Sequence, residues 1–253
     1  MTMISNPGND IFGTAFLDYL KGEHNADILV NTDIAEDEKL PVRYFFRGFD
    51  EMPEWEQLVL QKCRGRTLDV GAGAGSHSLY LQQQGIEITA LDISPGSVDC
   101  MKKRGIKGAV NHDFYSWKSE PYNTLLFLMN GLGIAGKTDH LVAFFRKAKS
   151  LLAPGGSIYC ESTDLLYLYT DEHGAAYIDL AGKYYGEIQY TLQYKDVVGE
   201  PFDWIFLDFD NLQHYASEAG LSSELIYQGE NHQYIAQLRH VFNSSEDFES
   251  YNE

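Results

Sequence analysis

Leu68-Asp69-Val70-Gly71-Ala72-Gly73-Ala74-Gly75-Ser76-His77-Ser78-Leu79-Tyr80-Leu81 decides how this chain folds. The first three residues read as the end of a short buried strand. The next five make a turn almost without side chains, and Ser76 is placed to cap a helix carrying Leu79, Tyr80 and Leu81. A glycine turn between strand and helix lets a ligand approach the backbone and meet the helix N-terminus. The next apolar run ends at Leu91-Asp92-Ile93-Ser94-Pro95. Asp92 stands about 20 residues beyond Gly71, where a carboxylate can accept from both hydroxyls of a ribose. Together the two signals predict a nucleoside-containing ligand.

Outward from that stretch, strands over 66–70, 86–92, 107–111, 123–129 and 156–162 alternate with helices over 76–84, 95–103 and 138–151. Further strands at 224–229 and 233–240 complete the pattern. This predicts an α/β fold: a doubly wound, mostly parallel seven-stranded sheet with an antiparallel last strand. Ligands of such sheets sit at the carboxyl ends of the strands, where Asp92, Asp113 and Asn130 fall. Residues 1–50 read as an N-terminal helical cap, with Phe12, Ala15, Phe16 and Tyr19 at helical spacing and a polar loop over 31–41. A domain over 51–242 begins with a helix at 53–63, whose apolar stripe is Trp55, Leu58, Val59 and Cys63. It contains an inserted β-hairpin at 186–209 around Gly199-Glu200-Pro201, then a helix capped by Asp210. Residues 243–253 form an acidic tail.

The dinucleotide fingerprint is G-x-G-x-x-G, whereas here the third glycine comes one position early, giving G-x-G-x-G with Asp69 two residues before it. This resembles motif I of the class I S-adenosylmethionine (SAM) dependent methyltransferases of small-molecule type, whose substrates are often unassigned. Asp92, His112-Asp113-Phe114, Leu125 to Asn130 and Leu151 to Ile158 match further segments of that family in order, so the resemblance spans roughly residues 53 to 240. It implies SAM as cofactor, bound by Asp69, Gly71, Ala72, Gly73, Asp92, Ile93, Asp113, Phe114 and Asn130. In that scheme Asp113 takes the adenine amino group and Phe114 covers the ring. The residues themselves leave plainer readings open. Asp69 can hold the glycine loop through backbone N–H groups, Asp92 can belong to a helix cap with Ser94, Asp113 can be a turn acid, and Asn130-Gly131 a turn pair.

Net charge is −18, and residues 159–253 contribute −15 of it. Nucleic acid and anionic membrane surfaces demand clustered cations, so neither is expected as a partner. Met129-Asn130-Gly131-Leu132 also lacks the Asn/Asp-Pro-Pro-aromatic quartet with which many nucleic-acid amino-methyltransferases hold a planar amino group. The expectation is a small-molecule acceptor, methylated by direct in-line transfer. Tyr44, Arg47, Glu161, Asp164 and Tyr185 are candidates for its wall, and Arg47 can instead hold the cofactor carboxylate. Eight of the 17 tyrosines lie between residues 159 and 194, and an aromatic, acidic wall suits an amine or other cation. No catalytic residue is singled out. A SAM-binding regulatory protein without turnover and an NAD(P)-dependent oxidoreductase are the competing readings. Cys63, Cys100 and Cys160 show neither metal-ligand nor disulfide spacing, which predicts no metal and a reducing, cytoplasmic setting. No signal peptide and no membrane-spanning apolar run is visible.

Overall fold

The computed structural model describes residues 10–35, 37–178 and 182–241; the acidic tail read from the sequence lies outside them. In chain order the elements are α1 (Ile11–Leu20), β1 (Asp27–Thr32), β2 (Glu38–Pro41), α2 (Glu54–Lys62), β3 (Thr67–Val70), α3 (Ser76–Gln83), β4 (Ile88–Asp92), α4 (Pro95–Lys103), β5 (Ala109–Asn111), β6 (Tyr122–Phe127), α5 (Leu141–Ser150), β7 (Leu152–Thr163), β8 (Glu187–Tyr194), β9 (Val197–Val198), β10 (Phe202–Ile205), α6 (Phe209–Glu218), β11 (Leu221–Gln228) and β12 (Gln233–His240).

The main sheet runs β11-β12-β7-β6-β3-β4-β5. Strands β5, β4, β3, β6 and β7 are mutually parallel, and β12 is antiparallel to both its neighbours. This is the doubly wound seven-stranded sheet expected. From β3 the chain winds out through β4 and β5, then returns to β6 on the other side. The strand order therefore reverses between β3 and β6, and a crevice opens at their carboxyl ends. Successive side chains of β6 go to opposite faces. Leu126 belongs to one apolar cluster with Val59, Leu60 and Leu81 of α2 and α3, while Leu125 and Phe127 belong to another with Phe144, Phe145 and Leu212 of α5 and α6.

Some local expectations shift. The buried face of α2 is Glu56, Val59 and Leu60, so the apolar stripe is rotated and a carboxylate lies on it. Gly75, left-handed at φ 81°, is the N-cap of α3, and Ser76 is its first helical residue. A Cβ at Gly75 would collide with Ile106 and stand 2.8 Å from Met101 Cγ, so the early third glycine serves packing onto the α4 end as well as the turn. Asp208 rather than Asp210 caps α6, accepting from the Asn211 N–H.

The larger difference is a second, antiparallel sheet of order β10-β8-β1-β2, with β9 also on β8. Half of the segment read as a polar loop, residues 31–41, is strand here. The inserted hairpin exists, but its tight turn lies at Lys195 (φ 54°), and Gly199-Glu200-Pro201 separates β9 from β10. Its inner strand β8 pairs with β1 of the cap, Val30 opposite Leu192. Cap and insertion are therefore one structural layer. Among the described residues no helix is long and apolar enough to cross a membrane.

Candidate functional site

The glycine turn leaves β3 with Gly71 at φ 71° and Gly73 at φ 57°, conformations that favour glycine. Gly71 N–H and Ala72 N–H both donate to the Leu91 carbonyl, which ties the turn to the end of β4. Gly73 N–H donates to Asp92 Oδ2 at 2.7 Å, and Ser94 N–H donates to Asp92 Oδ1 at 2.8 Å. Asp92 is 8% exposed. Burial pushes its carboxyl up to about 6, against the pull of those two N–H groups. Each oxygen keeps lone-pair capacity for a further donor. Ile93 is half-buried beside it, and Asn111 Nδ2 holds the Asp92 and Ile93 carbonyls.

These residues fit the nucleoside end of SAM. The turn presents no Cβ at Gly71 or Gly73, α3 begins without a side-chain cap, and an anchored carboxylate stands beside both. The other assigned residues take varied places. Asp69 is buried and accepts from Ser78 Oγ at 2.7 Å, anchoring the first turn of α3. Asp113 Oδ2 accepts from the N–H and hydroxyl of Ser116, the turn-acid geometry. Phe114 turns its ring into the core against Phe127 and Phe144. Asn130 accepts from Thr163 Oγ1 at 3.0 Å. Met129 and Asn130 are both left-handed, at φ 54° and 55°, an uncommon pair of non-glycine conformations at the carboxyl end of β6.

Of the residues expected at the acceptor wall, the structure brings together Tyr44, Arg47 and Glu161. The Arg47 guanidinium lies 3.7 Å over the Tyr44 ring. Its Nη2 pairs with Glu56 Oε1 at 3.0 Å and reaches Met129 Sδ at 3.8 Å. His77 Nε2 lies 2.7 Å from the other oxygen of Glu56. Although burial opposes ionisation, His77 and Arg47 hold the Glu56 carboxyl below its ordinary value, and Glu56 in turn holds the His77 imidazolium above its own. Glu161, near the end of β7, is 5% exposed, and accepts from Met129 N–H at 2.7 Å and Trp55 Nε1 at 3.3 Å. Burial, and then the charge of Glu56, push its carboxyl up to about 7. Asp164 and Tyr185 form a separate group: the Tyr185 hydroxyl donates to Asp164 Oδ1 at 2.8 Å and stands 3.3 Å from Asp208 Oδ2.

The sequence reading missed Glu56, His77 and Asp10, whereas Ser94 caps α4 as the cap reading has it. A carboxylate on the apolar stripe of α2 was the available signal for Glu56. His77 follows the glycine turn directly, and nothing local marks its partner. Among the described residues no group of His, Cys, Asp and Glu is placed to hold a metal.

Comparison with known proteins agrees with this geometry. A protein-family profile described as "Methyltransferase domain" matches residues 67–156. A crystal structure of a SAM-dependent methyltransferase from Bacteroides fragilis, in complex with S-adenosylhomocysteine, superposes with a TM-score of 0.87 at 39% identity, covering 94% of this chain and 97% of that one. The Cypemycin N-terminal methyltransferase of Streptomyces sp is 30% identical over 105 residues, 40% of this chain and 43% of that protein. The ubiquinone/menaquinone biosynthesis C-methyltransferase UbiE of Zymomonas mobilis is 28% identical over 114 residues, 42% of this chain and 46% of that protein. The chain thus spans less than half the length of these two curated relatives.

Proposed function

The chain belongs to the S-adenosylmethionine-dependent methyltransferases, and on that premise we propose that it methylates an amine of a small molecule, with Glu161 receiving the amine proton. Bound SAM supplies a methyl group on a positively charged sulfur. Asp92 accepts from the ribose hydroxyls, and the glycine turn lets the nucleoside lie against the backbone. In-line attack depends most on orientation and water exclusion, worth up to about 7–11 kcal/mol of barrier when both are complete. Tyr44 and Arg47, above the Met129-Asn130 turn, provide that cover.

An amine arrives as ammonium and must lose a proton before its lone pair is free. Glu161 is the observation that supports this chemistry: a buried carboxyl at the ligand end of the sheet, tied to the strained turn and raised to about 7. A base with that affinity is matched to neutral pH. The acidic character of residues 159–253 favours a cationic acceptor over an anionic one.

The test is S-adenosylhomocysteine release from SAM across panels of primary amines, phenols and thiols. Amines should turn over, with kcat rising through a pH of about 7, and Glu161→Gln should lose about 10²–10⁴-fold and flatten the profile. Turnover confined to phenols or thiols, or an unaltered profile in Glu161→Gln, refutes the assignment. No turnover anywhere, with tight SAM binding, favours a regulatory role.

A further inference from the structure

Asp10 lies far from the glycine turn in sequence and outside every motif of the family pattern, yet its carboxylate is 4% exposed and fully engaged. Oδ1 accepts from Gly13 N–H at 2.9 Å, capping α1. The same oxygen accepts from Ser94 Oγ at 2.7 Å, and Oδ2 accepts from Gly96 N–H at 2.8 Å. The N-termini of α1 and α4 thus converge on one carboxylate, which complements the positive ends of both helices. The convergence needs two glycines. A Cβ on Gly13 would stand 2.6 Å from Gly96 Cα, and one on Gly96 would stand 2.7 Å from Gly13 Cα.

Ser94 is the hinge between two acids. Its hydroxyl donates to Asp10 while its backbone N–H donates to Asp92 Oδ1. The other oxygen of Asp92 is held by Gly73 N–H, and Gly73 lies under the ring of Phe16, which α1 also carries: a Cβ there would sit 3.7 Å from Phe16 Cε2. Both donors that aim Asp92 are therefore groups that α1 touches, one through Asp10 and one through Phe16.

We infer that Asp10 is a positioning residue which makes docking of α1 and binding of the ribose by Asp92 a single coupled event. The inference rests on the reading of Asp92 as the ribose acceptor. Undocking α1 releases the Ser94 hydroxyl, uncovers Gly73 and leaves Asp92 free to turn toward water. Coupling between two sites is reciprocal, so a ligand held by Asp92 must in turn hold α1 in place.

Hydrogen–deuterium exchange of residues 11–20, with and without S-adenosylhomocysteine, combined with calorimetry, tests this. The wild-type chain should show about tenfold or greater slowing of α1 exchange on ligand addition. Asp10→Ser still caps α1 through the Gly13 N–H but lacks the second oxygen. It should lose that slowing and bind S-adenosylhomocysteine about tenfold more weakly, and the isosteric Asp10→Asn should shift the same way. Wild-type affinity in both variants, or α1 exchange indifferent to ligand in the wild type, overturns the inference. Asp92→Ala run in parallel separates the two failures. If it binds normally, the ribose reading falls. If it fails to bind while both Asp10 variants bind normally, only the coupling falls.

Discussion

The two sheets of this protein are held together by opposite logics. In the parallel sheet three of the pairings, β3 with β4, β4 with β5 and β6 with β7, are closed by a single intervening helix, and the residues expected to meet the cofactor are backbone turns and short acids. In the antiparallel sheet the pairing of β1 with β8 joins residues as far apart as Leu29 and Gln193, most of the chain's length from one another. The first is built from local signals and presents the cofactor site. The second packs on it through α1 and the aromatic segment 42–46, which share one apolar cluster with Ile28 and Leu192 on one side and Ala74 and Cys100 on the other. The cofactor motif is thus written into short-range pattern, whereas the second sheet depends on long-range assembly.

The contrast can be broken first at its strongest point. If Asp92 is the ribose acceptor proposed above, Asp92→Ala removes two charged hydrogen bonds, each worth roughly 1.5–3 kcal/mol, so calorimetry should show affinity for S-adenosylhomocysteine lower by about 10²-fold or more. It also leaves the Gly73 and Ser94 N–H groups without their acceptor, so the melting temperature should fall too. Affinity retained within about threefold would reduce Asp92 to a structural cap.

The covering half is probed by Arg47→Ala. This leaves buried Glu56 with His77 alone, and breaking a buried ion pair costs about 3 kcal/mol or more. Chemical denaturation should register that loss. A parallel drop in SAM affinity would assign Arg47 to the cofactor carboxylate, whereas a rise in acceptor KM alone would assign it to the acceptor.

The carboxyl end of the parallel sheet should respond to pH. Glu161, raised to about 7 by burial and by Glu56, binds its proton more tightly folded than unfolded. Its contribution to stability is therefore greatest at low pH and is lost as pH rises to about 7. Thermal scans should show the wild-type melting temperature falling between about pH 4.5 and 7, with Glu161→Gln flattening that decline; about 1.4 kcal/mol of stability is lost per pH unit in that window. A decline of equal steepness in the variant would show that other groups carry it.

The smallest effect belongs to Asp113→Asn. One oxygen is already used by Ser116, and the amide can still accept there, so S-adenosylhomocysteine affinity should weaken by less than about tenfold, and Asp113→Ala by more. Equal and negligible losses would leave Asp113 as a turn residue.

What was legible follows the same division. Gly71, Gly73, Gly75 and the strand–helix alternation announce the parallel sheet because each requirement acts within a few residues. Asp92 was readable because its spacing from the turn is set by one helix. Residues 31–41 looked like loop because the half-exposed strands β1 and β2 gain their reason to be strands from β8. Glu56 and His77 were invisible as a pair because each is an ordinary polar residue until α2 and α3 pack together. Asp10 carries the local mark of a helix cap, but nothing nearby announces that it serves two helices.

The reach from β1 to β8 has a consequence for how the chain is made. As synthesis proceeds, β1 and β2 can form their short hairpin at once, but the other edge of β1 has no partner until β8 emerges. At typical elongation rates that interval is roughly 8–30 s. During it an unpaired edge carrying Ile28, Leu29 and Val30 stands open to any other nascent strand, so the order of emergence exposes this segment to mispairing until β8 is made.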